Sequence, residues 1–241
     1  MIAAEIGVQS YTFRKLKLEA ALDAAKDSGN RSIELWPGHL PAETPADQVE
    51  AVRALCEKRG LRVCGYGVVN LSRADASSHF RCAKALGADY VSVDFRPDDR
   101  QAQEAAAALA SKMGLRLALH NHGPGHAYAT PEQVTAVLEG LPAVMGACVD
   151  TGHFLRADAD PVAAIRMLGS RVHAIHLKDF LDAHQEVLPG SGRLDLKQTI
   201  AALREVGFTS DYVLEYEADA DNPVPAVREA VAAVQAALDQ A

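Results

Sequence analysis

The sequence predicts an α/β fold, a (β/α)8 barrel formed by the whole chain as a single domain. Short β-branched runs alternate eight times with alanine-rich stretches whose apolar residues recur every three and four positions. Glycines stand where most of the predicted helices should end, and His, Asp or Glu residues follow several predicted strands. A closed parallel barrel explains these observations together, because the carboxyl ends of its strands meet at one mouth. In a doubly wound open sheet the same ends would line an edge and reach one ligand less easily.

The predicted strands and helices follow one another along the 241 residues, and no low-complexity linker separates them. The apolar, β-branched runs place strands at residues 4–10, 31–36, 62–67, 90–94, 115–121, 145–150, 171–178 and 211–216. The amphipathic stretches place helices at residues 17–29, 46–59, 74–87, 100–113, 131–140, 160–168, 195–206 and 223–239. The glycines that mark helix ends are Gly29, Gly60, Gly87, Gly114, Gly140, Gly169 and Gly207. Thr130-Pro131 and Asp160-Pro161 put a capping side chain before a proline that suits the first helical position.

Composition limits the kinds of molecule that the protein is expected to bind. A formal net charge of -8 opposes binding to an extended phosphate backbone, so a nucleic-acid partner is not expected. No apolar run approaches the roughly 20 residues of a membrane span, and the N-terminus lacks the order of a signal peptide. The four cysteines form no CxxC pair and are predicted to be reduced packing residues. A cytoplasmic enzyme with a small-molecule substrate is the expectation.

Side-chain alternation along the strands predicts a metal site at the mouth. Residues two apart share a face of a strand, which pairs His120 with His122, His176 with Lys178, and Glu215 with Glu217. Asp150 ends the sixth strand in the same way. His120 or His122, Asp150, His176 and Glu215 therefore form a mixed nitrogen and oxygen donor set, suited to one Mn, Co, Zn or Mg ion.

Several short motifs, in order after successive strands, resemble the xylose isomerase-like TIM-barrel superfamily, in particular its sugar phosphate isomerase/epimerase branch. They are Gly7-Val8-Gln9-Ser10-Tyr11-Thr12-Phe13, Ile33-Glu34-Leu35-Trp36, His120-Asn121-His122-Gly123, Asp150-Thr151-Gly152-His153, His176-Leu177-Lys178-Asp179, Gly190-Ser191-Gly192 and Leu214-Glu215-Tyr216-Glu217. The resemblance implies a metal-dependent enzyme acting on a sugar or sugar phosphate. Barrels of this kind often pair, so a homodimer is possible.

The resemblance also implies which residues hold the ion. Epimerases of this superfamily use Glu, Asp, His and Glu from strands five to eight, and the last three match Asp150, His176 and Glu215. The first position is His120 in this chain. Because an imidazole is neutral when it binds a metal and is a different proton acceptor from a carboxylate, this departure puts the two-glutamate epimerase mechanism in doubt.

The predicted reaction is proton abstraction beside a carbonyl, giving an enediolate. Glu215 or Glu217 is the predicted base, and His120, His122 or His153 would deliver a proton to the other carbon or to a leaving hydroxyl. Delivery to carbon gives isomerisation or epimerisation, whereas loss of the hydroxyl gives dehydration. A dehydratase or other lyase acting on inosose or 3-keto-sugars is therefore the alternative reaction. A sugar-binding barrel without catalysis is a third, and a nuclease lacks the additional metal ligands that it would require.

Other polar residues near the strand ends have a functional and a structural interpretation. Glu34 and Trp36 could form the opposite wall of the mouth, with the indole against a sugar, or Trp36 could close the barrel under a loop. Lys178 could hold a substrate oxygen or form a salt bridge, and Arg156 could contact an anionic substrate or be solvated. Glu217 could be a base or a supporting carboxylate beside Glu215, or a solvated loop carboxylate. His153 could contact the substrate, or it could bond a loop carbonyl at the start of its helix.

The segment from Pro189 to Arg193 has glycine amides that could cradle a phosphate, although a simple turn before the cap of the next helix at Asp195 is the preferred interpretation. Asp179 is predicted to orient a ligand histidine or Lys178. The sequence thus leaves open whether the substrate carries a phosphate.

Overall fold

A computed structural model describes residues 4–71 and 75–240 of the chain. Eight parallel strands close into a barrel, which confirms the predicted (β/α)8 fold. The barrel strands are β1 (Ile6–Gln9), β2 (Ser32–Leu35), β3 (Arg62–Asn70), β4 (Tyr90–Asp94), β5 (Arg116–His120), β6 (Met145–Asp150), β7 (Val172–Leu177) and β10 (Tyr212–Leu214). Their order around the barrel is β1-β10-β7-β6-β5-β4-β3-β2. Two short strands, β8 (Asp179–Phe180) and β9 (Glu186–Val187), form a separate antiparallel hairpin after β7.

The helices surround the barrel and alternate with its strands as predicted. They are α1 (Leu18–Asp27), α2 (Ala46–Lys58), α3 (Ala76–Leu86), α4 (Arg100–Met113), α5 (Pro131–Leu138), α6 (Thr151–Arg156), α7 (Pro161–Leu168), α8 (Leu196–Glu205) and α9 (Val224–Leu238). Thr130 and Gln133 form a capping box at the start of α5, and Asp160 caps α7 ahead of Pro161. All seven glycines predicted to end helices have positive φ, which a residue without a side chain adopts at little cost.

Some boundaries differ from the prediction. The third strand extends to Asn70, three residues further than expected, while the eighth barrel strand is only three residues long. The helix predicted from residue 74 begins at Ala76, and residue 74 itself lies outside the described residues. Helix α6 was not predicted; it starts directly after β6 because the Asp150 carboxylate accepts the backbone N–H of His153 and caps it.

Three small side chains and a tyrosine fill the interior of the barrel below the mouth. Tyr90, Ala118, Cys148 and Ala174 pack together inside it, each buried. Because residues two apart share a face, this layer lies directly beneath His120, Asp150 and His176. The four cysteines are buried and free, which confirms the prediction of reduced packing residues. Among the described helices, none combines the length and the apolar character that crossing a membrane requires.

Candidate active site

Four buried side chains meet at the mouth of the barrel: His120, Asp150, His176 and Glu215, called here the four-residue cluster. One ligand atom from each lies within 4.8 Å of the other three. His120 Nε2 is 3.2 Å from His176 Nδ1, which is 3.3 Å from Glu215 Oε2. His120 Nε2 is 3.7 Å from Asp150 Oδ2. Side chains at the carboxyl ends of the barrel strands thus meet at the mouth, as the sequence predicts for residues that share one ion.

The Asp150 carboxylate supplies a test of whether these residues fit a metal. Its Oδ1 accepts the backbone N–H of His153 at 2.7 Å, and the Asn121 side chain bonds both backbone groups of Asp150. Its Oδ2 is buried without a hydrogen-bond partner among the described residues. A buried carboxylate oxygen that faces imidazole nitrogens is a donor that a divalent cation would satisfy. The donor set therefore fits a divalent ion.

His122 lies outside the four-residue cluster. Its side chain is partly exposed at the mouth, and its Nε2 is 3.8 Å from Asp94 Oδ2. Of the two histidines that the sequence left as alternatives, His120 is the one that faces Asp150 and His176. The structure gives His122 a position on the cavity wall, where it can reach a substrate.

Burial and neighbouring charges shift the pKa values of the cluster residues in different directions. Burial lowers the pKa of His120 well below its ordinary value, so the imidazole is neutral. Burial also lowers the pKa of His176, but the nearby Cys148, Glu34 and Glu215 outweigh it and hold that pKa well above the ordinary value. Burial raises the pKa of Asp150 to about 6, against the opposing effect of Lys178.

Lys178 lies beside the cluster and is almost completely buried. Its ammonium is 3.3 Å from Glu215 Oε2 and 3.8 Å from Asp150 Oδ2, and it forms a closer hydrogen bond to Glu217. These contacts are those of the salt bridge that the sequence offered as an alternative to substrate binding. Glu186, on the second strand of the hairpin, accepts the backbone N–H of Glu217 at 3.0 Å; no sequence pattern predicted this contact.

Glu34 lies beneath the mouth rather than on its wall. Its Oε2 is 2.9 Å from His176 Nε2 and accepts the Tyr90 hydroxyl at 2.6 Å, while its Oε1 accepts the Ser92 hydroxyl. The side chain is fully buried. The wall position expected for Glu34 is therefore wrong, because strand β2 turns its carboxylate inward onto His176.

A cavity of about 340 Å³ opens above the cluster. Among the described residues it is lined by Gln9, Tyr11, Trp36, Val68, His120, His122, His153, Glu215 and Glu217. Trp36 thus lines the mouth, which is one of the two positions that the sequence suggested for it. Its ring packs edge-on against the Tyr11 ring, with 5.0 Å between the ring centroids. Gln9, Tyr11 and Val68 were not among the predicted site residues, although Gln9 ends the first strand and Tyr11 follows it at the same end as the other lining residues.

Arg156 and His153 occupy the entrance from helix α6. The Arg156 guanidinium donates to the Ala183 carbonyl at 3.1 Å, and Arg156 is not among the described residues that line the cavity. Its Nη1 is 3.5 Å from His153 Nδ1. Burial, followed by the charge of Lys178, lowers the pKa of His153 to about 3, so this imidazole is neutral on the cavity wall.

Asp179 organises the glycine loop after the hairpin. Its Oδ2 accepts the backbone N–H groups of Gly190 and Gly192 at 2.9 and 2.8 Å, and its Oδ1 accepts those of Phe180 and Leu194. The carboxylate of the chain itself therefore takes the amides that could have cradled a phosphate. Asp179 orients this loop, and not a ligand histidine or Lys178 as predicted.

Residues 22–237 match the family model described as the xylose isomerase-like TIM barrel. Sequence similarity to curated proteins is partial. The inosose dehydratase of Geobacillus kaustophilus is 29% identical over 133 residues, which cover 47% of this chain and 43% of that protein. The chain thus matches less than half the length of the curated relative.

Solved structures resemble the complete barrel. A xylose isomerase domain protein from Alicyclobacillus acidocaldarius superposes with a TM-score of 0.81 at 22% identity, covering 98% of this chain and 99% of that one. An L-ribulose 3-epimerase superposes with a TM-score of 0.80 at 18% identity, covering 98% and 95% of the two chains. At these identities the likeness concerns the fold. With the match over residues 22–237, the chain belongs to the xylose isomerase-like TIM-barrel family.

Proposed function

We propose that this member of the xylose isomerase-like family is a divalent-metal-dependent enzyme that removes a proton beside the carbonyl of an uncharged, sugar-like polyol. The observation that carries the proposal is the four-residue cluster on the floor of a cavity of about 340 Å³, with Asp150 Oδ2 unpaired within the described part of the chain. A cavity of this size suits a small ligand.

The residues of the chain have distinct roles in the proposed reaction. His120, Asp150, His176 and Glu215 would hold the ion, which when bound polarises a carbonyl and makes the adjacent carbon more acidic. Glu217 is the base, because it lines the cavity outside the cluster and its carboxylate accepts a hydrogen bond from the Lys178 ammonium.

Two histidines face the substrate from another part of the wall. His122 delivers a proton to the leaving hydroxyl. Burial lowers the pKa of His122, and Asp94, 3.8 Å from its Nε2, opposes that shift. His153 is neutral and acts as a hydrogen-bonding group for substrate hydroxyls. Trp36 and Tyr11 offer aromatic surfaces to the C–H face of the polyol.

The residues of the site favour dehydration over epimerisation. Epimerisation by two glutamates needs a carboxylate at the position of His120, whereas dehydration needs a base and an acid for the departing hydroxyl. Glu217 and His122 supply this pair. The partial similarity to inosose dehydratase, 29% over 133 residues, supports the same choice. Epimerisation is the second candidate, since His122 could instead return the proton to carbon.

An uncharged substrate follows from the contacts of the cationic side chains. No lysine or arginine is among the described residues that line the cavity. Lys178 is held by carboxylates, Arg156 donates to the Ala183 carbonyl, and the amides of the glycine loop are bonded to Asp179. A phosphate in the cavity would meet Glu215 and Glu217 without a compensating cation from this part of the chain.

The test is to incubate the protein with neutral ketoses and inososes in deuterated water, with Mn, Co, Zn or Mg added, and to measure product mass. Loss of one water identifies a dehydratase, and deuterium gain without loss of water identifies an isomerase or epimerase. Glu217→Gln should abolish either change, whereas Glu229→Gln, on the exposed side of α9, should not. Metal binding without exchange across the panel would contradict catalysis and favour a binding barrel.

A further inference from the structure

We infer that Glu34 is a positioning residue for the metal site: it holds the His176 imidazole so that Nδ1, and not Nε2, presents a lone pair to the ion. This inference rests on the proposed metal site and adds a residue to it. Glu34 lies on β2, while the four-residue cluster comes from β5, β6, β7 and the segment after β10.

The contact between the two side chains determines which nitrogen is available. Glu34 Oε2 lies 2.9 Å from His176 Nε2, and both side chains are fully buried. The Glu34 carboxylate, which accepts the hydroxyls of Tyr90 and Ser92 at its two oxygens, is also the acceptor in this contact, so Nε2 carries the hydrogen. His176 Nδ1 then faces His120 Nε2 at 3.2 Å and Glu215 Oε2 at 3.3 Å, as a ligand atom of the cluster.

Strand β4 fixes the Glu34 carboxylate from the opposite side. The Tyr90 hydroxyl donates to Oε2 at 2.6 Å, and the Ser92 hydroxyl donates to Oε1. Tyr90 fits because Gly65 faces its ring: a Cβ there would lie 2.5 Å from Cζ. Three donors, two at Oε2 and one at Oε1, hold the buried carboxylate in one orientation.

The contact also crosses the barrel lumen. In the strand order, β1 and β10 separate β2 from β7, so no ladder hydrogen bond ties Glu34 to His176. A carboxylate behind a ligand histidine raises the basicity of the imidazole and fixes its ring plane, and loss of such a partner typically weakens metal binding about 10- to 100-fold. A network that served packing alone would affect stability without this loss.

Three variants distinguish a role of Glu34 in positioning the metal ligand from a role in packing alone. Glu34→Ala removes the acceptor, and Glu34→Gln retains an oxygen for Nε2–H but lacks the charge. Asp211→Asn is the matched control, because Asp211 is a buried carboxylate that accepts from Arg62 and the backbone of Glu5 at the other end of the barrel. Dissociation constants for Zn²⁺ and Co²⁺ are measured by calorimetry. NMR of the metal-free protein detects whether the His176 Nε2 hydrogen exchanges slowly with water.

Wild type should show a slowly exchanging Nε2 hydrogen, and Glu34→Ala should lose it and bind both ions about 10- to 100-fold more weakly. Glu34→Gln should recover most of the affinity, and Asp211→Asn should match wild type in both measurements. Equal affinity in wild type and Glu34→Ala, or a rapidly exchanging Nε2 hydrogen in wild type, would overturn the inference alone. Wild type that binds neither ion would instead overturn the proposed function and, with it, this role.

Discussion

The ammonium of Lys178 lies 3.3 Å from Glu215 Oε2, although both side chains are buried. It is also the counter-charge of Glu217 and lies 3.8 Å from Asp150 Oδ2. Burial opposes a charged lysine, but Glu215, Asp150 and Glu217 outweigh that effect and raise its pKa. Lys178 therefore compensates carboxylates that a divalent ion would also neutralise.

Replacing Lys178 should destabilise the metal-free protein and increase its dependence on metal. We expect Lys178→Met to lower the free energy of unfolding by about 3–5 kcal/mol, because it leaves buried carboxylates without their cation. Added Zn²⁺ or Co²⁺ should recover part of the loss in thermal unfolding experiments. Lys197→Met, at an exposed lysine, is the control and should change little. An unchanged metal-free stability would show that solvent already compensates the carboxylates.

Removal of single ligands should abolish metal retention. Elemental analysis by plasma mass spectrometry is expected to find about one Mn, Co, Zn or Fe ion per wild-type chain, and much less in Asp150→Ala and Glu215→Ala, because each variant removes an oxygen donor of one small site. Asp211→Asn should retain the wild-type content. Protein that takes up neither these ions nor Mg after incubation would contradict the metal site.

His120→Glu should change which ion is preferred. The variant replaces a nitrogen donor with the carboxylate found at this position in the epimerases, and hard ions favour carboxylates. We expect the ratio of Mn²⁺ to Zn²⁺ affinity, measured by calorimetry, to rise about tenfold or more. His126→Glu, in the exposed loop after β5, is the control for added charge. A constant ratio would show that position 120 does not contribute a ligand.

The Asp179 carboxylate should be the main organiser of the glycine loop. Asp179→Ala leaves four backbone N–H groups without their acceptor. We expect a loss of about 3 kcal/mol or more, since single bonds to a charged acceptor contribute about 1.5–3 kcal/mol. Hydrogen exchange should accelerate from Gly190 to Leu194. Asp182→Asn, which affects two such bonds in an exposed turn, should have a smaller effect; equal effects would contradict the prediction.

Stability should depend on pH through His173. Its pKa is lowered from 6.5 to about 4, mainly by burial; the bond to the Leu117 carbonyl opposes this shift, and the charges of Arg116 and Arg171 add to it. The unfolded chain therefore binds the proton first as the pH falls. The stabilisation is complete above about pH 6.5 and is lost toward about pH 4, and amounts to roughly 3 kcal/mol.

Denaturant unfolding at a series of pH values tests this sign. The difference in free energy between wild type and His173→Gln should shrink as the pH falls across that range, because glutamine does not titrate. His184→Gln is the control, since His184 is exposed in the hairpin turn. A difference that stays constant with pH would contradict the depressed pKa.

The sequence by itself determined the barrel and most of the cluster. The alternation of strand and helix patterns predicted the fold. The parity of residues within strands predicted a site formed by His120 or His122 with Asp150, His176 and Glu215. This succeeded because both signals are local: the strand repeat determines which face a side chain occupies, and a closed parallel barrel brings all strand ends to one mouth.

The tertiary structure decided the contacts between distant segments. Glu34 and His176 are 142 positions apart, and Asp179 meets a loop that lies beyond the hairpin. Strand parity gives the face of Glu34 but not how far its carboxylate reaches across the lumen or which donor it meets. The sequence around Gly190 and Gly192 is the same whether their backbone amides bind a phosphate or Asp179. Such choices depend on which buried polar groups can pair in three dimensions, and so only the folded chain decided them.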